Sequence, residues 1–263
     1  MIRTLATAAL LAALCDAPAY AQSDERPEKE PLRVRVGVGA QIVPKFPGSS
    51  EVHVSPYPDF AVTRGDDPFP FESPDESFGF TVLRVGGLEV GPAATFQGKR
   101  RRSDIGASMD EVGFSIEAGG FAQFWLAKSV RVRAEGRRGL SGHRAWVGSA
   151  GIDYVVRDGD AYTFSIGPRV NLSDSKYQQA YFGVNPGEAT RTGLPTYRAG
   201  GGVHSVGAIA GATYSLGGRW GLVGYARYDR LVGDAADSPF IAAYGSRDQF
   251  SAGTGLTFTF GPR

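Results

Sequence analysis

The chain has 263 residues, and its 28 Lys and Arg against 27 Asp and Glu give a formal net charge of +1. This near-neutral balance gives no electrostatic reason to expect nucleic acid as a partner, and the 42% hydrophobic content excludes a disordered chain. Glycine is abundant at 37 residues, and 16 Phe and 11 Tyr accompany only 2 Met, a composition that favours strands over helices.

Residues 1–21 are predicted to be a secretion signal. A short apolar core precedes Ala19-Tyr20-Ala21, which matches an A-x-A cleavage site, so the mature chain would begin at Gln22. Cleavage would remove the only cysteine, Cys15, and with it any thiolate metal site. The polar residues 22–32 are expected to form a flexible periplasmic lead-in. No later stretch has the roughly 18 consecutive apolar residues of a membrane-spanning helix, which excludes a helical inner-membrane protein.

From residue 33 onwards, apolar residues alternate with polar or small ones at a period of two. Val34, Val36 and Val38 alternate with Arg33, Arg35 and glycine. The same pattern recurs in 88–97, 129–137, 162–171 and 249–260. Such alternation is typical of strands with one apolar face, and segments of about ten residues are long enough to cross an outer membrane. Because sandwich strands are usually about 5–6 residues long, we expect an all-β transmembrane antiparallel up-and-down β-barrel over 33–263, with a β-sandwich as the alternative.

The connections between these segments alternate in length. Short turns are predicted at 64–67, 86–87, 127–128, 158–160 and 217–218, and long polar loops at 44–52, 98–111, 138–144, 171–202 and 231–248. In outer-membrane barrels, short turns lie in the periplasm and long loops lie outside. This assignment places both chain ends in the periplasm and requires a short strand near 68–73. The predicted strand count is then twelve, with ten as the alternative.

The most specific motifs lie in the last third of the chain. They are YQQAYFGV at 177–184, GLPTY at 193–197, the glycines 200–202 and WGLVGYARYDRLVGDAADSP at 220–239. Together with Pro47-Gly48-Ser49-Ser50, Pro56-Tyr57-Pro58 and the aromatic close Phe258-Thr259-Phe260, they resemble the MipA/OmpV family of outer-membrane proteins. The family-like positions of the last motif are Tyr225, Arg227, Asp229, Leu231, Gly233, Asp234, Ser238 and Pro239. One departure is that Gly261-Pro262-Arg263 follow the final Phe260. In the family, the aromatic signal for the barrel-insertion machinery would be the chain terminus itself.

This resemblance implies a non-enzymatic scaffold in the cell outer membrane, with no cofactor and with outer-membrane lipid and lipopolysaccharide around it. Its implied partners are a murein-degrading lytic transglycosylase and a murein polymerase. Other family members are described as porin-like proteins or adhesins, so a small passive channel is the alternative function. An outer-membrane lipid hydrolase is the weakest alternative.

A hydrolase would need a serine, a histidine and an acid close together. His53, Ser55 and Asp59 share one strand face, but a spacing of two residues separates neighbours by about 7 Å, so Asp59 does not obviously reach His53. That face is expected to point into the lumen, away from lipid. His204 is expected to lie on the face opposite Ser205, and three scattered histidines make no metal site. No catalytic or metal-binding residue is therefore predicted.

Charged residues of both signs are predicted to face the lumen. They are Arg33, Arg35, Glu89, Glu117, Arg131, Arg133, Glu135, Asp153, Arg157, Arg169, Arg219, Arg227 and Asp229. They either line an open pore or form neutralised pairs that fill the barrel. A barrel of this size is narrow, which favours the pairs.

Two charged loops are candidate binding sites on the outside. Lys99, Arg100, Arg101 and Arg102 form a basic run that could contact lipopolysaccharide phosphates; the alternative is a solvated loop. Asp234 and Asp237 could bind a cation, although two carboxylates in a loop are more often part of solvated turns.

Overall fold

The computed structural model of the protein describes residues 30–105 and 108–262. The predicted signal sequence, its cleavage site at Ala21 and Gln22, and most of the lead-in lie outside these residues, so they stay predictions. Within the described residues, none of the helices is both long enough and apolar enough to span a membrane.

In the part of the chain that the structure describes, twelve strands form one antiparallel sheet. Their bounds are β1 (Leu32–Pro44), β2 (Val52–Arg64), β3 (Phe78–Gly79), β4 (Leu83–Val85), β5 (Leu88–Gln97), β6 (Ser115–Ala127), β7 (Val130–Gly139), β8 (Trp146–Asp158), β9 (Tyr162–Ser173), β10 (Gly202–Gly217), β11 (Trp220–Leu231) and β12 (Asp248–Phe260). Four short helices and a 3₁₀ turn lie in the loops. They are α1 (Ser175–Phe182), α2 (Pro186–Thr192), α3 (Gly233–Ala236), α4 (Pro239–Tyr244) and the 3₁₀ turn Arg102–Asp104.

From β4 to β12, and for β1 and β2, strands that follow each other in the chain are also neighbours in the sheet, which is the up-and-down arrangement. The hydrogen-bonded order runs from β2 to β1, then to β12 and back in sequence to β5, which also carries β3 and β4. The first strand therefore pairs with the last, with Val34 opposite Phe260. The sheet curls around an interior, because Arg33 of β1 reaches Asp160 in the β8–β9 turn. The predicted all-β membrane barrel is confirmed.

The two faces of the sheet follow the predicted alternation. Apolar side chains cover the outer face, where Val38 of β1 is 73% exposed and Val54 of β2 is 72% exposed in the isolated chain. On the inner face, Arg131 of β7 and Thr257 of β12 are almost fully buried. Because the outer side chains are apolar and the inner ones polar, the outer face is suited to lipid.

The predicted short strand near 68–73 is wrong. Residues 66–77, which we call the lumenal segment, form no strand and run inside the curled sheet. Its three prolines, Pro68, Pro70 and Pro74, cannot donate to a ladder. The strand count is nevertheless twelve. The stretch that pairs with β5 is interrupted, so it counts as two short strands, β3 and β4. The interruption lies opposite Gly91 and Pro92 of β5, where proline again lacks an N–H.

The long loops pack together at the end of the sheet opposite the short turns. We call this layer the outer cap; it comprises residues 45–51, 98–105, 108–113, 140–145, 174–201 and 232–247. Its apolar cluster includes Phe46, Met109, Tyr181, Phe182 and Phe240, each at most 4% exposed. The loops are as long as predicted, but they share a hydrophobic core that their polar composition did not indicate.

Candidate functional site

The lumenal segment is anchored first at the periplasmic end of the barrel. Phe69 is 4% exposed, and the guanidinium groups of Arg33 and Arg35 lie 5.0 and 5.2 Å from its ring centroid. Its backbone N–H donates to Asp160 at 2.9 Å, and its carbonyl accepts from Arg157 at 2.9 Å. An aromatic ring under two cations, with its backbone groups satisfied, holds this end of the segment inside the sheet.

Asp75 holds the middle of the segment. Arg169 Nε of β9 donates to this carboxylate at 2.8 Å, and Arg227 Nη1 of β11 donates to it at 3.3 Å. Ser73 adds a hydroxyl hydrogen bond at 2.9 Å. One acidic side chain of the segment therefore ties together two strands that are not neighbours in the sheet.

Glu76 makes the corresponding contacts on the other side of the lumen. It forms ion pairs with Arg131 and, at 3.5 Å, with Arg133, both on β7. Arg131 and Arg169 also share Asp153 of β8, at 2.7 and 2.6 Å. The network is continuous from β7 to β9, and most of the charges predicted to face the lumen belong to it or to similar pairs. The neutralised-pair interpretation of the lumen is therefore the one that the structure supports.

Removing one partner of such a buried pair strongly lowers the free energy of unfolding. Arg131 is fully buried and Asp153 is 1% exposed, and an uncompensated charge at such a site costs about 3–5 kcal/mol. The interlocked pairs thus fix the lumenal segment in place across the lumen.

The outer cap contains a cation at its centre. Arg100 is 2% exposed, and its guanidinium lies within 6 Å of the rings of Phe46, Tyr181 and Phe240, at 5.9, 5.7 and 5.6 Å from the centroids. It donates to the carbonyls of Tyr181 at 3.1 Å and Asp110 at 2.8 Å. Burial lowers the pKa of Arg100 and raises the pKa of the Tyr181 phenol. The cap is thereby organised around one guanidinium group.

This placement corrects one residue of the predicted lipopolysaccharide contact. Arg100 is committed to the cap interior and cannot meet a phosphate at the surface. Lys99, Arg101 and Arg102 are exposed, and for these three the contact stays a prediction.

The family-like segment links the lumen to the cap. In β11, Tyr225 donates to Gln41 at 2.5 Å, and Arg227 donates to Asp229 at 2.5 Å and to Asp75 of the lumenal segment. Further along the chain, Leu231 is 4% exposed and belongs to the cap cluster. These residues therefore lie next to both the lumenal segment and the outer cap.

The remainder of this segment builds the cap helices. Gly233 has a φ of 55°, which favours glycine, and Asp234 accepts from the Gly200 N–H at 2.5 Å. Ser238 caps α4 and donates to the Phe182 carbonyl at 2.5 Å, while Pro239 occupies the first turn of α4. Asp234 thus has a structural partner. Asp237, which was considered with it as a cation ligand, lies 3.6 Å from Arg247.

The residues considered for hydrolysis do not form a triad. Arg35 donates to both oxygens of Asp59, at 2.7 and 3.2 Å. This carboxylate is therefore paired with an arginine and does not orient a histidine. His204 Nδ1 contacts Ser173 Oγ at 3.0 Å, whereas Ser205 accepts from Asn171. Among the described residues, no group of three or more His, Asp or Glu is placed to hold a metal ion.

Sequence reasoning missed two features of the interior. The lumenal segment was predicted to be a strand, although its spacing of proline, phenylalanine and acid could have marked it as a partner for the lumenal arginines. His143 was assigned to a loop; it is 4% exposed and its Nε2 lies 3.0 Å from Glu117 beneath the cap. No pattern in the sequence indicates that pair.

Among the described residues, three large cavities lie around the lumenal segment. The first, about 650 Å³, lies under the cap beside Tyr177 and His204. The second, about 400 Å³, lies between β2 and the lumenal segment near Tyr57 and Glu72. The third, about 280 Å³, lies at the periplasmic mouth beside Trp220.

A comparison with family models gave one match: a model described as MltA-interacting protein MipA covers residues 36–260. No relative was found among curated proteins. The solved structures similar to this chain include Neisserial surface protein A, at 10% identity with 87% of this chain and 97% of that chain covered and a TM-score of 0.28. An outer-membrane channel from Pseudomonas putida F1 is 9% identical, with 88% and 96% covered and a TM-score of 0.44. The outer-membrane channel DcaP of Acinetobacter baumannii is 8% identical, with 88% and 98% covered and a TM-score of 0.35.

Proposed function

The chain belongs to the MipA family and is an outer-membrane protein, and from this premise we propose that it is a non-enzymatic scaffold that docks murein-remodelling enzymes. The first partner we propose is the lytic transglycosylase that the family resemblance implies; the matching family model is described as an MltA-interacting protein. A murein polymerase would be the second partner, brought to the same place.

The observation that carries this proposal is the occupied interior. The lumenal segment is held by ion pairs to β7, β9 and β11, and the packed cap covers the outer end. A barrel whose interior is crossed by a segment of its own chain, with separate cavities of at most about 650 Å³ beside it, is suited to binding at its surface rather than to passing solutes. This supports the scaffold over the small passive channel.

Murein lies in the periplasm, so a partner must meet the barrel at its short-turn end. The turns there are tight; Gly86, Gly87, Gly217 and Gly218 all have positive φ and offer no side chains. The lead-in 22–32 is instead rich in charge, with Asp24, Glu25, Arg26, Glu28, Lys29 and Glu30. We therefore propose the lead-in as the main contact. Exposed charge pairs are individually weak and are screened by salt, so the association should be reversible and salt-sensitive.

The test is capture of a purified lytic transglycosylase by the full-length barrel in detergent, at low and at physiological salt. Deleting residues 23–29 should weaken capture severalfold at low salt while assembly is unchanged. The deletion stops short of Pro31, because the Pro31 carbonyl accepts from Gly65 N–H at 3.0 Å and holds the start of β1.

The matched control neutralises Lys99, Arg101 and Arg102, which are exposed at the opposite end of the barrel. This variant should capture the enzyme as the wild type does. Equal capture by the deletion variant would remove the lead-in from the mechanism, and absence of capture by the wild type at either salt concentration would contradict the scaffold function itself.

A further inference from the structure

The sheet has two free edges that face each other. β2 is the last strand at one end of the hydrogen-bonded order, and β3 and β4, on β5, are at the other end. Among the described residues, no ladder joins β2 to β3, β4 or β5. We call the gap between these edges the seam.

Two prolines explain why β2 remains an edge. The hydrogen bonds Lys45 N–H to Glu51 carbonyl and Gly65 N–H to Pro31 carbonyl show that odd-numbered residues of β2 face β1. The even-numbered residues therefore direct their backbone groups into the seam. Pro56 and Pro58 are both even-numbered, so two successive donors are missing from this edge.

The cavity of about 400 Å³ extends from the lumen, where residues of β9, β10 and β11 line it, to this seam. It is lined by Tyr57 and Asp59 on the inner face of β2 and also by Phe60 on its outer face. All of the consecutive residues 55–60 line it, whichever face their side chains occupy, so the cavity runs along the free edge of β2. Phe78 of β3 and Phe96 of β5 line the opposite side.

The outer rim of this passage is aromatic and open to the lipid side. Phe60, Phe78 and Phe96 are 57%, 57% and 60% exposed. They offer an apolar surface that can accept an alkyl chain from the membrane. The passage lies beside Thr95 and Phe96 at the end of β5 that leads into the outer cap, so the outer leaflet is the source of this chain.

The inner end of the passage holds one carboxylate that forms no ion pair among the described residues, because the arginines around it are paired with other acids. Asp59 is paired with Arg35, and Glu76 with Arg131. Glu72 of the lumenal segment lines the same cavity and is exposed to it. Within the described part of the chain, it makes no hydrogen bond or ion pair.

From these observations, we propose that the seam is a lateral binding site for a cationic amphiphile from the outer leaflet. Its alkyl chain lies between Phe60, Phe78 and Phe96, and its ammonium group binds the Glu72 carboxylate. The charge excludes anionic lipids of the same length, because a second carboxylate or phosphate would face Glu72 without a free cation. This site is separate from the periplasmic docking surface and does not depend on it.

The test uses photo-crosslinking to the full chain reconstituted in liposomes. The probe is dodecylamine carrying a diazirine in its alkyl chain, and the comparison probe is the matching dodecanoic acid. The amine should label peptides containing Phe60, Phe78 or Phe96 in preference to other outward-facing peptides, and the acid should not. Glu72→Gln should reduce labelling by the amine about tenfold, as expected for the loss of a charge-assisted hydrogen bond.

Asp67→Asn is the matched control, because Asp67 is an exposed acid of the same segment that lies outside the 400 Å³ cavity. The amine probe should label this variant as strongly as it labels the wild type. Heat-modifiable migration on gels should show that both variants are assembled. Equal labelling by amine and acid, equal labelling of Glu72→Gln and Asp67→Asn, or labelling spread evenly over the outer face would each overturn the proposal.

Discussion

At the scale of single residues, Asp75 is the contact on which the lumenal segment depends most. Its carboxylate binds Arg169 and Arg227, which lie on two different strands, and its side chain is 9% exposed. Asp153 and Asp229 also contact these arginines, so the arginines keep one partner each when Asp75 is changed. The segment itself keeps its anchors at Phe69 and Glu76. It also keeps the hydrogen bonds from Arg169 to Ser73 and from Ser77 to Glu135.

Asp75→Asn should therefore loosen the segment without preventing assembly. The loss of one buried charge from the network should cost about 3 kcal/mol, the lower end for breaking a buried pair, because the arginines retain partners. The measurement is the urea concentration at which the heat-modifiable form is lost, with Asp67→Asn as the control. Equal midpoints for the two variants would mean that Asp75 does not stabilise the closed interior.

Arg100 has the same importance in the outer cap. Arg100→Ala leaves the carbonyls of Tyr181 and Asp110 without their donor and removes the cation from three rings. Each buried unsatisfied group costs about 1–3 kcal/mol, so the cap should open more often. Protease added to intact cells should cleave this variant in 174–201 faster than the wild type. Lys99→Ala, a change of an exposed neighbour, should be cleaved at the wild-type rate; if Arg100→Ala is cleaved no faster than that, the cation does not organise the cap.

At the scale of elements, the long strands were predictable and the short elements were not. The segment 88–97 coincides with β5 (Leu88–Gln97), and 249–260 differs from β12 (Asp248–Phe260) by one residue. A one-sided strand repeats its alternation over ten or more residues, so the pattern is strong. The cap helices have only four to eight residues, which is too short for a helical period to show and too short to be stable without packing.

The lumenal segment was mispredicted for a different reason. Its short run between turns satisfies the requirement for an even number of strands. Its prolines and acids argue against a regular strand, but they do not say where an inward-folded chain would lie. What decides its position is the set of arginines on β7, β9 and β11, such as Arg131 and Arg169. These are contacts across the barrel between residues far apart in the sequence, and a single sequence does not show which residues will meet.

The facing of the strands gives a prediction at this scale. Leu256 of β12 is 50% exposed on the outer face, near the middle of its strand. Leu256→Arg places a cation toward hydrocarbon, at a cost of about 2–4 kcal/mol at the midplane. Ala127→Arg, at the periplasmic end of β6, should cost about 0–1 kcal/mol because the position is close to the interface. The yield of heat-modifiable protein in the outer membrane should fall for the first variant only; equal yields would contradict the lipid-facing assignment.

At the scale of the whole molecule, two parts of the chain close the barrel, the lumenal segment from one end and the outer cap at the other. The lumenal segment enters from the periplasmic end and is held by charge, and the cap covers the outer end and is held by apolar packing. The family-like residues of β11 and the loop after it contact both, since Arg227 binds Asp75 and Leu231 lies in the cap cluster. The most recognisable part of the sequence is therefore the part that joins the two closures.

The central claim is that this barrel is closed along its axis by its own residues, and conductance in a planar lipid bilayer tests it most directly. Wild-type protein should insert without producing a steady open-channel current. A variant in which residues 66–77 are replaced by a Gly/Ser linker of equal length should conduct, provided that heat-modifiable migration shows it to be assembled. A steady current through the wild type, as large as that through the linker variant, would contradict the account.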